Sequence, residues 1–212
     1  MTTLEFILAK FKPIPNPGDR LIIGDINRTI MAQTLYDFDC KEGAEIGVAE
    51  GIHAEILCRE NPGVKLHCVD IWEQYPGYEE YSNIEEVYQE AIKRLKPYKV
   101  VFHKEFSMKA LRHFEDESLD FVYIDGAHNF VNVAMDVSEW AKKVRPGGIV
   151  FGHDYKFHGA YLDKGRQRHP VHVKPVVDAY VMAHNIKPFF VLENNIKDPT
   201  FGRDNPGWMF VK

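Results

Sequence analysis

Cysteine is scarce in this chain of 212 residues: Cys40, Cys58 and Cys68 are the whole supply, and none stands in CxxC or CxxH spacing. An odd, scattered set argues against a disulfide framework and gives no structural zinc signature, so buried thiols are expected. Long apolar runs are missing too. The N-terminal TTLEFILAKF carries Glu5 and is too short and too polar for a signal peptide or a spanning helix, so no membrane partner and a cytoplasmic location are expected. Charge of one sign does not dominate either. A net charge of −5 gives no global attraction to nucleic acid or to an anionic membrane surface. Gly/Ser linkers, internal repeats and low-complexity segments are also lacking. With 45% hydrophobic residues, the chain can bury one substantial core.

What is present is alternation. Short β-rich runs at 43–48 (GAEIGV), 65–70 (KLHCVD), 100–104 (VVFHK), 119–125 (LDFVYID) and 147–154 (GGIVFGHD) are separated by segments with helical spacing. The clearest helix has Phe130, Ala134, Val137, Ala141 and Val144 at steps of four and three, stopped by Pro146-Gly147-Gly148. Such alternation predicts right-handed crossovers and an α/β fold with a parallel sheet covered on both faces. Residues 1–40 hold two helical candidates around the Pro-rich FKPIPNPGD and are expected to cap the sheet, leaving 41–212 as the main domain. A helix near 174–185 and two strands, 187–194 and 207–212, close the chain. The last two are joined by turn-forming residues, which predicts an antiparallel edge.

The first strand runs into Glu45-Ile46-Gly47-Val48-Ala49-Glu50-Gly51, followed by the helical IHAEILCRE. Glycines there permit a tight turn and close approach of a ligand to the backbone. The spacing ExGxxxG is not the GxGxxG of dinucleotide enzymes. Asp70 ends the next strand, where an acid can accept both ribose hydroxyls of a nucleoside. Glu45 and Glu50 beside the turn suit a cationic ligand and oppose a pyrophosphate.

Together with IDGAH (124–128) and PGGIVFGHDY (146–155), these features resemble the class I S-adenosylmethionine-dependent methyltransferases, in the branch with IDGxH and GHDY motifs, over roughly residues 40–155. The resemblance implies a single Rossmann-like domain with a mostly parallel, seven-stranded sheet whose last strand is antiparallel. It also implies that Glu45, Gly47 and Gly51 face the methionine part of S-adenosylmethionine, that Asp70 meets the ribose, and that Ser107 lies near the adenine. A helix N-cap is an equal account of Ser107.

If that fold holds, the strands ending at Asp125 and at His153-Asp154 are neighbours, and their acids converge outside the carboxyl ends of the sheet. Oxygen and imidazole donors grouped there favour a divalent cation, Mg²⁺ first and Mn²⁺ or Zn²⁺ next. Similarity to metal-dependent sugar and natural-product O-methyltransferases implies Asp125, His153 and Asp154 as metal ligands and His128 as general base. Where those enzymes often carry an acid, this chain has His153. The expected activity is O-methylation of a small hydroxylated acceptor, a saccharide or natural-product intermediate. A nicotinamide-dependent oxidoreductase or a non-catalytic binding module are the alternatives. Trp72 and the tyrosines of WEQYPGYEEY are candidates for stacking on adenine or sugar, with surface packing as the alternative. The basic stretch 156–172 reads as a solvated loop, or else as a closure over an anionic substrate. The N-terminal helices offer a contact for a homodimer.

Overall fold

The computed structural model describes residues 1–18, 20–74, 82–159, 161–163 and 166–212. In chain order the elements are α1 (Thr3–Phe11), β1 (Ile14–Asn16), β2 (Arg20–Ile23), α2 (Arg28–Asp37), β3 (Glu42–Ile46), α3 (Ile52–Glu60), β4 (Lys65–Asp70) and α4 (Ile84–Leu95). They continue with β5 (Val100–Lys104), α5 (Ser107–Ala110), a 3-10 turn (Leu111–His113), β6 (Leu119–Ile124), α6 (Phe130–Lys143), β7 (Val144–Gly152), β8 (Tyr161–Asp163), β9 (Arg166–Arg168), α7 (Val173–Ala183), β10 (Phe189–Leu192) and β11 (Gly207–Val211). Helix starts follow short polar side chains. Thr2 and Glu5 form a reciprocal capping box on α1, and Asn27, Asn83 and Asn129 each accept a backbone N–H at the start of α2, α4 and α6.

The strands that read as nearly unbroken apolar runs are buried on both faces, and their alternate residues divide between two cores. Leu66, Cys68, Phe121, Tyr123, Ile149, Phe151, Phe190 and Met209 belong to one. Val69, Val122, Ile124, Val150, Phe189, Trp208 and Phe210 belong to the other. Each fully buried large apolar side chain contributes about 1.5–3 kcal/mol relative to exposure. The α6 helix is as expected, but its face is rotated: Val133, Val137, Trp140 and Ala141 are buried, whereas Phe130 is 59% exposed.

The main sheet has nine strands, ordered β1-β2-β10-β11-β7-β6-β3-β4-β5, two more than the seven expected. The additional pair comes from the segment assigned to a helical cap. Arg20–Ile23 runs parallel to Phe189–Leu192, a pairing between chain ends that no local periodicity can signal. The antiparallel strand is likewise not at the edge: β11 is inserted between β7 and β10 and pairs antiparallel with both. Among the described residues, no helix is long and apolar enough to cross a membrane.

The parallel body positions the site. Ile46 pairs with Ile124 and Ile124 with Gly152, so β3, β6 and β7 end level with one another. The Asp125 N–H donates to Ile46 O at 2.8 Å, and the His153 N–H donates to Ile124 O at 3.2 Å. Two strands therefore deliver Asp125 and His153-Asp154 to one crevice.

Candidate active site

The turn after β3 is the floor of that crevice. Gly47 has φ +86°, and a Cβ there would sit 2.2 Å from Asp125 O. Gly51 has φ +75°, and its Cβ would meet Leu95 at 3.1 Å. Packing requires glycine at 47, where the backbone lies directly against the Asp125 peptide, whereas at 51 it is the positive φ that favours glycine. The non-glycine residues Ala49, Trp72 and Asp154 also adopt positive φ, so strain gathers around the crevice.

Asp70 holds this turn. Its Oδ2 accepts from Val48 N at 2.9 Å and Ala49 N at 3.0 Å, while Oδ1 accepts from Trp72 N at 3.1 Å. Trp72 donates its indole N–H to Ala49 O and is 1% exposed, packed against Tyr88 and Phe102. It is core, not a stacking platform. Tyr75, Tyr78 and Tyr81, the other stacking candidates, lie outside the described residues. Ser107 does not cap α5; its hydroxyl donates to Asp136 on α6 at 2.5 Å. Burial lifts Asp136 to about 6 despite that bond.

Glu45 is 2% exposed, with Oε1 at 3.2 Å from His53 Nδ1 and with no hydrogen-bond partner for Oε2 among the described residues. Burial first, and the charge of Asp125 second, push its carboxyl well above the ordinary range.

Around Asp125 the charges form a network. His128 Nε2 lies 3.3 Å from Asp125 Oδ1 and 3.5 Å from Asp154 Oδ2. His153 Nδ1 is 3.7 Å from Asp125 and 3.5 Å from Asp154, while its Nε2 is 2.9 Å from Asp204. Arg28 bridges Asp204 at 2.5 Å and Asp125 at 3.4 Å, and Lys156 lies 3.2 Å from Asp154. Asn205 donates to Asp154 at 2.7 Å. Burial alone would raise the Asp125 carboxyl, yet the charge of His153, hydrogen bonds from both histidines and Arg28 hold it well below the usual carboxylate range. Burial would likewise lower the histidines. Asp125 and Asp204 instead push His153 up to about 9, and Asp125 and Asp154 raise His128.

Among the described residues, the atoms of Asp125, His128 and Asp154 that can bind a metal lie within 4.8 Å of one another. Two carboxylates and an imidazole are a donor set that fits a divalent cation. His153 touches both carboxylates through Nδ1 but is tied to Asp204 through Nε2. Arg28, Asp204 and Asn205 escaped the sequence reading: Arg28 opens α2, Asp204 and Asn205 stand in the polar loop before β11, and their nearness to β6 and β7 is purely tertiary. Of the basic stretch, Lys156 reaches the site, β8 and β9 form a hairpin, and Lys164 lies outside the described residues.

Residues 44–155 match the methyltransferase domain family, a span that contains the glycine turn, Asp70, Asp125, His128 and both residues after β7. No curated protein sequence matches the chain. Among solved structures, the O-methyltransferase TomG of Streptomyces achromogenes, involved in tomaymycin synthesis and solved with S-adenosylmethionine, is 17% identical with a TM-score of 0.59, over 87% of this chain and 79% of that one. The Bacillus cereus O-methyltransferase, solved with S-adenosylhomocysteine, is 16% identical with a TM-score of 0.57, over 99% and 90%. The 1,6-didemethyltoxoflavin-N1-methyltransferase of Burkholderia thailandensis is 13% identical with a TM-score of 0.54, over 89% and 79%. Likeness at such identities establishes the fold, and the fold serves both O- and N-methylating enzymes.

Proposed function

Since the chain belongs to the methyltransferase domain family, we propose that it transfers a methyl group from S-adenosylmethionine to a hydroxyl of a small acceptor, a saccharide or natural-product intermediate. The observation that carries this is His128, an imidazole held between two strand-end carboxylates beside the glycine turn.

S-adenosylmethionine supplies an electrophilic methyl group on a cationic sulfur. The chain's part is to hold that cation. Glu45 Oε2, buried and without a hydrogen-bond partner among the described residues, would accept from a cationic amino group, whose charge restores the carboxylate. Gly47 and Gly51 shape the turn against which the methionine part lies, and Asp70 Oδ1, which accepts only from Trp72 N, keeps a lone pair for a ribose hydroxyl. Ser107 and Asp136 border the adenine side. His128 removes the acceptor proton, and Asp125 and Asp154 stabilise the imidazolium that forms. Their charges, which outweigh burial, make His128 a stronger base than a free imidazole. A divalent cation held by Asp125 and Asp154 would acidify the acceptor hydroxyl. Asp204 accepts the His153 Nε2–H, which fixes the ring with Nδ1 toward the same carboxylates. Three buried thiols, all free, suit a reducing cytoplasm.

Calorimetry with S-adenosylmethionine and with NAD, followed by methyl transfer to a panel of sugars and phenols with and without Mg²⁺, tests this function. The expected result is binding of S-adenosylmethionine alone, with His128→Ala lowering kcat by about 10²–10⁴-fold at unchanged cofactor affinity. Binding of NAD would favour an oxidoreductase. Cofactor binding without transfer to any acceptor would favour a binding module, and full activity in His128→Ala would remove the proposed base.

A further inference from the structure

A second group of histidines and carboxylates stands at the β5 edge of the sheet, three strands from β6, where the methyl-transfer reading gives it no part. His103 is on β5, Glu105 follows that strand, and His113 ends the 3-10 turn; one donor atom of each lies within 4.8 Å of the others. His113 Nε2 is already 2.8 Å from Glu105 Oε1, and the His103 and His113 rings are 5.0 Å apart. Neighbours in a tetrahedral zinc shell, with ligand bonds of about 2.0–2.1 Å, stand about 3.3 Å apart. The His113–Glu105 pair needs to open by only a few tenths of an ångström.

The surrounding contacts set up His103 as a ligand. Its Nε2 lies 2.9 Å from His67 Nδ1, and His67 Nε2 lies 2.9 Å from Glu42 Oε1. A neutral His67 has one N–H, which Glu42, an acceptor only, must take. His67 Nδ1 then accepts from His103 Nε2–H, and the remaining His103 nitrogen is left with a free lone pair. An inward chain from imidazole to imidazole to carboxylate is the outer-shell arrangement that orients metal-bound histidines. Arg112 pairs with Glu105 Oε2 at 2.7 Å and leaves Oε1 to the cluster, and Lys65 balances Glu42 at 2.7 Å. The His113 side chain is 41% exposed, which gives an ion its path in.

We propose that His103, Glu105 and His113 form a binding site for a borderline divalent cation, zinc in the first instance, that clips the segment between β5 and the 3-10 turn onto the sheet. Two imidazoles and one carboxylate oxygen are donors of the kind zinc prefers, with water completing the shell. The site is separate from the Asp125 cluster and does not depend on the proposed reaction.

The test is to strip the full chain with a chelator, reload it with zinc, and count tightly bound zinc per chain in wild type, His113→Ala, Glu105→Gln and Asp154→Asn. His113→Ala and Glu105→Gln should each bind one equivalent fewer than wild type, and Asp154→Asn should keep the equivalent they lose. At a hundredfold excess over Kd, that equivalent should raise Tm by about 5–10 °C in wild type, with a smaller rise in the two variants. Equal zinc content in wild type, His113→Ala and Glu105→Gln, or no zinc held by wild type, would overturn the proposal. The His113 side chain is 41% exposed and lies outside both cores, so its variant folds and keeps the comparison decisive.

Discussion

Two groups of histidines and carboxylates lie on one sheet, one at its centre and one at its β5 edge, and their histidines are shifted in opposite directions. At the ends of β6 and β7, three aspartates surround His128 and His153, and His153 rises to about 9. At β5, Glu42 and Glu105 are each shared with a cation, the three rings mainly face one another, and His103 falls to about 4. Burial lowers imidazoles in both places. What differs is the balance of charge: three aspartates stand against Arg28 and Lys156 in the first group, and two glutamates against Arg112 and Lys65 in the second. The same residue types therefore strengthen proton binding at His128 and His153 and weaken it at His67 and His103.

The largest effect that breaks this contrast should come from Gly47→Ala. The new methyl meets the Asp125 backbone at a positive φ, so the turn and the Asp125 cluster shift together. Urea unfolding should show a loss of about 2–4 kcal/mol, with methyl transfer falling as well, while the β5 cluster keeps its zinc.

Stability against pH sharpens the contrast next, because the two histidines act in opposite directions. His153 binds its proton more tightly folded than unfolded. Its contribution is fully present below the unfolded value of about 6.5 and is lost as pH rises through about 9. His103 binds its proton less tightly folded, so stability falls as pH drops from about 6.5 toward 4. Urea midpoints of metal-free protein should lose the alkaline decline in His153→Gln and the acid decline in His103→Gln. Unchanged profiles in both variants would show that the two clusters do not differ as described.

The smallest effect should follow Ser107→Ala, which removes one hydrogen bond to the buried Asp136. About 1 kcal/mol of stability, or 2–4 °C in Tm, should be lost, and the Asp136 carboxyl should titrate above about 6. Its proton can be followed by NMR or infrared difference spectroscopy.

Much of the site was legible because strand ends can be read. Asp70, Asp125 and His153-Asp154 each stop an apolar run, and in a parallel sheet such residues fall at one edge of the layer. The purposes of individual groups were less legible. Gly47 was expected to admit a ligand, but the Asp125 peptide occupies the space beside it. Trp72 was a stacking candidate and is buried. Ser107 reaches a helix partner instead of capping its own turn. Each outcome depends on where a side chain meets an element distant in sequence.

By itself, the sequence determined the alternation of strands and helices, the parallel body, the two-sided core and the ends at which chemistry can occur, since period and turn residues act over a few positions. Only the tertiary structure decided that Arg20–Ile23 completes a nine-stranded sheet and that Arg28, Asp204 and Asn205 join the Asp125 network. It also decided in which direction each histidine is shifted. Those outcomes rest on pairings across 51 to 176 residues and on the local balance of burial against charge, which neighbouring residues in the chain do not encode.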